Sequence, residues 1–124
     1  LVPKQLFFGM ALFWAGIIAF FCLIKSSTIP AVSIPNLDKA VHAFFHFVLT
    51  LLWFLFFQKQ MMVKSVFKPL YSAVLFSFFY GIGIEIMQGL FTDTRSADVL
   101  DVLANVTGAI LASVAILVLK KIIK

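Results

Sequence analysis

Four long apolar stretches separated by short polar ones organise the chain. Leu6 to Ile24 carries no charge, and Lys39 to Phe57, Leu70 to Leu90 and Val99 to Leu119 repeat the pattern with few interruptions. A helix rises about 1.5 Å per residue, so each stretch covers most or all of a hydrocarbon core about 30 Å thick. Strands are excluded, because the runs are too long and lack alternation. The pattern predicts an all-α polytopic membrane protein with four transmembrane helices over about 6–24, 39–57, 70–90 and 99–119. Together they make a single transmembrane domain of residues 1–124. With Lys4 ahead of it, the first stretch also resembles a signal peptide. It is long for one, however, and Lys25-Ser-Ser-Thr follows in place of a small-x-small cleavage site, so it reads as a retained span.

The links have their own signals. Ile29-Pro30 and Ile34-Pro35 deny regular helical hydrogen bonding and predict an extended connector. Asp38 stands where an N-cap of the second helix belongs, Pro69 suits the start of the third, and Ser96 or Asp98 the cap of the fourth. Small residues recur every four positions at Ala11, Ala15 and Ala19, at Ala73, Ser77 and Gly81, and at Ala104, Gly108 and Ala112, predicting close helix packing.

Composition agrees with the pattern. The chain is 63% hydrophobic, with 16 Phe, a mean hydropathy of +1.11 and 12% charged residues, too apolar for a water-exposed surface. Cys22 is the single cysteine, so no internal disulfide can form. Charge adds an orientation. The ends and the middle link hold Lys4, Lys59, Lys64, Lys68, Lys120, Lys121 and Lys124 and no acid, which by the positive-inside rule predicts cytoplasmic termini, an N-in/C-in topology. Both histidines and all five acids then fall toward the outer side.

Helices 2 and 4 start on that side and helix 3 ends there, so three distant stretches are expected to meet at one depth. Ionisable groups inside a membrane segment are costly and mark candidate sites. His42, Glu85 and Asp101 are the candidate catalytic residues, and Asp38, Lys39, Gln88, Arg95, Asp98 and Asn105 the candidate ligand-binding ones. Simpler roles compete: capping for Asp38 and Asp98, dipole complementation for Asp101, interfacial snorkelling for Lys39, interhelical hydrogen bonds for Gln88 and Asn105. His46 reads as a buried imidazole with one partner. Glu85 resists such an account, since it sits at the C-terminal end of helix 3, where the helix dipole opposes its charge.

Three chemistries fit this set. His42 with Glu85, Asp98 and Asp101 could ligate a divalent cation, though no compact metal motif is present. Lys39, Arg95 and the helix N-termini could hold a phosphate or pyrophosphate headgroup. A histidine and a carboxylate could exchange protons with a lipid-linked substrate. A divalent ion bridging the acids to a phosphate would reconcile the first two, and the sequence leaves the cofactor open.

At these residues the chain resembles the VanZ-like family of small bacterial membrane proteins. Asp38-Lys39-x-x-His42 resembles its first motif, Gly83-Ile-Glu85-x-x-Gln88 its second, and Arg95-Ser-x-Asp98-x-x-Asp101-Val-Leu-Ala-Asn105-x-x-Gly108 its third. The likeness runs from Asp38 to about Ala112. Family members commonly carry Tyr four residues after the motif histidine; here that position is His46, and no role is carried over to it. The resemblance implies a cell-envelope protein of the bacterial cytoplasmic (inner) membrane, linked to resistance to teicoplanin, a lipid-anchored glycopeptide antibiotic.

The expected protein therefore has an outward polar pocket that binds or processes an amphiphilic or lipid-linked envelope molecule. Its expected partners are the lipid bilayer and a lipid-linked or lipoglycopeptide ligand, with no nucleic acid and homo-oligomerisation left open. Two alternatives stand beside it: a non-catalytic resistance scaffold whose polar cluster only holds helices together, and a transporter subunit, which would need oligomerisation to enclose a pathway.

Overall fold

A computed structural model describes residues 2–23, 37–62, 64–91 and 99–123, and these form four helices: α1 Lys4–Leu23, α2 Leu37–Met61, α3 Phe67–Phe91 and α4 Val99–Ile123. Each is long and apolar enough to cross a membrane, and the described residues contain no strand. In lipid a helix satisfies its own backbone groups, which is why runs of this length and composition fold this way. The Ile-Pro connector and the turn bearing Asp93, Arg95, Ser96 and Asp98 lie outside the described residues.

The helices outrun the expected spans. α2 continues a turn beyond Phe57 to Met61, and α4 beyond Leu119 to Ile123, because lysine side chains extend helices into the interface at little cost. α3 begins three residues early, so Pro69 is its third residue, still in the first turn where a missing N–H costs nothing. The Phe67 N–H donates to Ser65 Oγ at 3.3 Å and the Leu70 N–H to the Val66 carbonyl at 3.0 Å, which start that helix. α2 begins at Leu37, so Asp38 occupies its first turn and not the cap position expected for it. α2 ends where Met62 turns left-handed, with φ of 54°, a conformation commonly given to glycine after a helix.

The register of contacts gives the directions. Trp14 pairs with Phe45 and Phe8 with Trp53 and Phe56, so α1 and α2 are antiparallel. Lys39 meets Asp101 and His42 meets Asn105, so α2 and α4 run parallel. α2 packs against the other three helices, whereas α1 touches α2 and α3 and, among the described residues, not α4. The starts of α2 and α4 and the ends of α1 and α3 share one end of the bundle; the lysines Lys4, Lys59, Lys64, Lys68, Lys120 and Lys121 gather at the other.

Packing follows the small-residue stripes. Ala11, Ala73 and Ala112 are fully buried, and Ser77 and Gly81 are buried as well. The bulky residues go outward: Phe13, Phe79, Leu90 and Leu119 are exposed, as a lipid-facing surface requires.

Candidate functional site

Inside this apolar bundle, buried polar side chains collect at the end where α2 and α4 begin. His42 on α2, Glu85 and Gln88 on α3, and Asp101 and Asn105 on α4 are each between 1 and 7% exposed. Three separate stretches of sequence thus meet at one depth.

Helix register explains the pairings. Because α2 and α4 lie parallel and in close contact, positions 39 and 42 face 101 and 105. Lys39 Nζ donates to Asp101 Oδ1 at 2.7 Å, while the other carboxylate oxygen, Oδ2, stands 3.6 Å from His42 Nε2. His42 Nδ1 lies 3.2 Å from Asn105 Oδ1. An amide oxygen can only accept, so the imidazole donates from Nδ1 and turns Nε2 toward Asp101. Glu85 arrives from α3, and one ligand-type atom from each of His42, Glu85 and Asp101 falls within 4.8 Å of the others. Of the remaining expected site residues, Arg95, Asp98 and the Asp38 side chain lie outside the described residues.

One turn deeper, His46 Nδ1 and Ser77 Oγ are 2.7 Å apart, both almost completely buried. His46 is buried with a partner, but the identity of that partner is not legible in the sequence. It follows from the antiparallel register of α2 and α3, which no local pattern encodes. Gly81 makes the layer possible. A Cβ there would stand 2.6 Å from Asn105 Nδ2 and 3.0 Å from His46 Cε1. Both are side-chain atoms that can yield, so Gly81→Ala is expected to fold, at a cost of about 1–2 kcal/mol, while pushing Asn105 off His42. A shifted His42 imidazole resonance in the NMR spectrum of the folded variant checks this, and an unchanged one contradicts it.

Gln88 reaches across to α1. Its Nε2 donates to the Cys22 carbonyl at 2.6 Å, tying the end of α1 to α3. Tyr80 donates its hydroxyl to the Ala15 carbonyl, and Trp14 Nε1 to the Phe45 carbonyl at 2.9 Å. The signal these two residues share in the sequence is a polar tip on a large apolar body within a span. α1 is the least buried span and leans on these three bonds. Gln88→Ala removes one, worth about 1 kcal/mol, and raises the opened population of the α1 end about fivefold. Cys22, 3% exposed and the sole cysteine, reports it: its maleimide-labelling rate rises by that factor, and an unchanged rate contradicts the tie.

Chemically, the cluster offers an imidazole facing a carboxylate, a second buried carboxylate, and an ammonium group at the rim. That set can exchange protons, hold a cation, or orient an anionic headgroup.

Comparison with known proteins places the chain. The family model described as VanZ/LLP1 matches residues 4–120, nearly the whole chain. Neither the curated proteins nor the solved structures gave a match.

Proposed function

The chain belongs to the VanZ/LLP1 family of membrane proteins, and from that premise we propose that its polar cluster is an outward-facing pocket for an amphiphilic, lipid-linked molecule of the bacterial cell envelope. The observation carrying this reading is the burial of His42, Glu85 and Asp101 together, from three helices, at one end of an otherwise apolar bundle. Buried charge in a membrane segment is expensive, and a ligand that needs it gives a reason to keep it. The lysines at the opposite end support cytoplasmic termini and hence an outward site in the inner membrane. In this reading Lys39 and Arg95 receive the anionic headgroup, Asn105 holds the His42 ring, and His42, Glu85 and Asp101 exchange protons or ligate. The acyl part of the ligand stays in the bilayer against the apolar helix faces. Association with teicoplanin resistance follows the same logic, since teicoplanin carries a lipid tail and works at that surface.

The test uses teicoplanin and a polyprenyl phosphate as probes, added to the protein in nanodiscs. One of them raises the melting temperature of the wild type, and Lys39→Ala weakens that probe about tenfold, equivalent to about 1.4 kcal/mol. Absence of any shift, or equal binding by the variant, overturns the pocket.

A second reading rests on the 2.7 Å Lys39–Asp101 pair, which joins α2 to α4 directly. There the cluster is a clamp between helices, and its loss acts only through stability.

A further inference from the structure

We propose that His42 Nε2, Asp101 Oδ2 and a Glu85 carboxylate oxygen form a binding site for one divalent cation of the Zn²⁺ or Mn²⁺ class. The proposal deepens the pocket reading and rests on it for its location. Three features of the geometry carry it beyond a mere grouping of acids.

The first is the orientation of each group. His42 gives its Nδ1–H to Asn105 Oδ1, which leaves Nε2 as the ring nitrogen that faces Asp101 Oδ2 across 3.6 Å. A divalent ion can take the place of a proton between an imidazole nitrogen and a carboxylate that face each other in a buried site. Around Zn²⁺, bonds of about 2.0–2.2 Å set neighbouring ligand atoms about 3.3 Å apart, so the pair is already near ligating separation. Glu85 completes three donors within 4.8 Å of one another.

The second is the outer support. Metal-bound histidines usually donate their other N–H to a fixed acceptor, and ligating carboxylates are themselves hydrogen-bonded. Asn105 does the first here, and Lys39, on Asp101 Oδ1, does the second while leaving Oδ2 for the ion. The third is charge. Two carboxylates, the Lys39 ammonium and a divalent ion sum to +1, which suits an anionic headgroup in the open coordination positions. One nitrogen with two carboxylate oxygens favours Zn²⁺ or Mn²⁺ over Mg²⁺, which prefers oxygen and retains its waters.

The experiment titrates EDTA-treated, purified protein in nanodiscs with Co²⁺, read by its visible absorption, and with Mn²⁺, read by paramagnetic resonance. Expected is one ion per chain, displaced by Zn²⁺. His42→Ala abolishes binding, Asn105→Ala weakens it about 10- to 100-fold, and His46→Ala leaves it unchanged. If His42→Ala loses its helicity, Asn105→Ala and the absorption bands of an imidazole-bound Co²⁺ in the wild type decide alone. Absence of stoichiometric binding, or binding untouched by Asn105→Ala, overturns the proposal. The teicoplanin and polyprenyl phosphate shifts are repeated with and without EDTA. A probe that still binds the metal-free protein, when no ion site is found, removes the metal and leaves the pocket. An ion site with no probe binding removes the pocket reading and leaves the metal.

Discussion

Gly108→Ala is expected to disrupt the bundle, at a cost of about 3 kcal/mol or more. A Cβ at position 108 would stand 2.0 Å from the Ala43 carbonyl oxygen, 2.9 Å from its carbon and 3.0 Å from the Phe47 nitrogen. These are backbone atoms of α2, so no rotamer change relieves the clash and the two helices must separate. Overpacking a well-filled interior costs about 1–3 kcal/mol when side chains can move, and the rigid backbone puts this site at or above that range. Separating α2 from α4 also pulls Lys39 from Asp101 and His42 from Asn105. Gly83→Ala is the matched control. Nothing lies within 4 Å of its added methyl, and removing a helical glycine gains about 0.5–1 kcal/mol. Thermal unfolding in detergent should therefore move the two variants in opposite directions. Equal, small shifts would mean that α2 and α4 are not packed through Gly108.

Asp101→Asn is expected to cost about 2–3 kcal/mol and to abolish probe binding. The substitution keeps the shape of the side chain and removes the charge that satisfies Lys39 and faces His42. Breaking a fully buried pair costs about 3–5 kcal/mol; the Lys39 side chain is 24% exposed, and water reaching it lowers the figure. Replacing both partners is cheaper than stranding one, so Lys39→Met combined with Asp101→Asn should recover much of the loss. The double variant thus separates the two readings of the cluster. It should be stable and still fail to bind teicoplanin or polyprenyl phosphate, whereas a clamp with no binding role predicts that function returns with stability.

Much of this was readable from the chain. Four apolar runs fix four helices, because a backbone in lipid has few other ways to satisfy itself. Their ends moved by a few residues where lysines and Pro69 can sit inside a helix. The meeting of His42, Glu85 and Asp101 was legible through topology alone, since antiparallel connections set the depth of every residue. The pairings within the cluster were not. Which carboxylate Lys39 takes, and which nitrogen of His42 faces it, depend on how closely α2 and α4 approach, and that depends on Gly108 lying against Ala43. The His46–Ser77 pair and the tie from Gln88 to Cys22 arise likewise from rotation of helices about their axes, which a stripe of small residues indicates only coarsely. Asp38 shows the limit at a helix end: a residue suited to a cap sits inside the first turn, because the helix begins one residue earlier.

The central claim is that the buried cluster serves a ligand and not only the fold. Glu85→Gln tests it most directly, since the substitution keeps size and hydrogen-bonding capacity and removes the carboxylate most opposed by its helix dipole. The measurement is teicoplanin susceptibility of a host expressing wild type or variant at matched levels, paired with the melting temperature of each purified protein. The account predicts a variant that melts within about 3 °C of wild type, a change of less than about 1 kcal/mol for a chain of this size, and that no longer protects its host. Full protection by the variant, or loss of protection together with loss of fold, would contradict it.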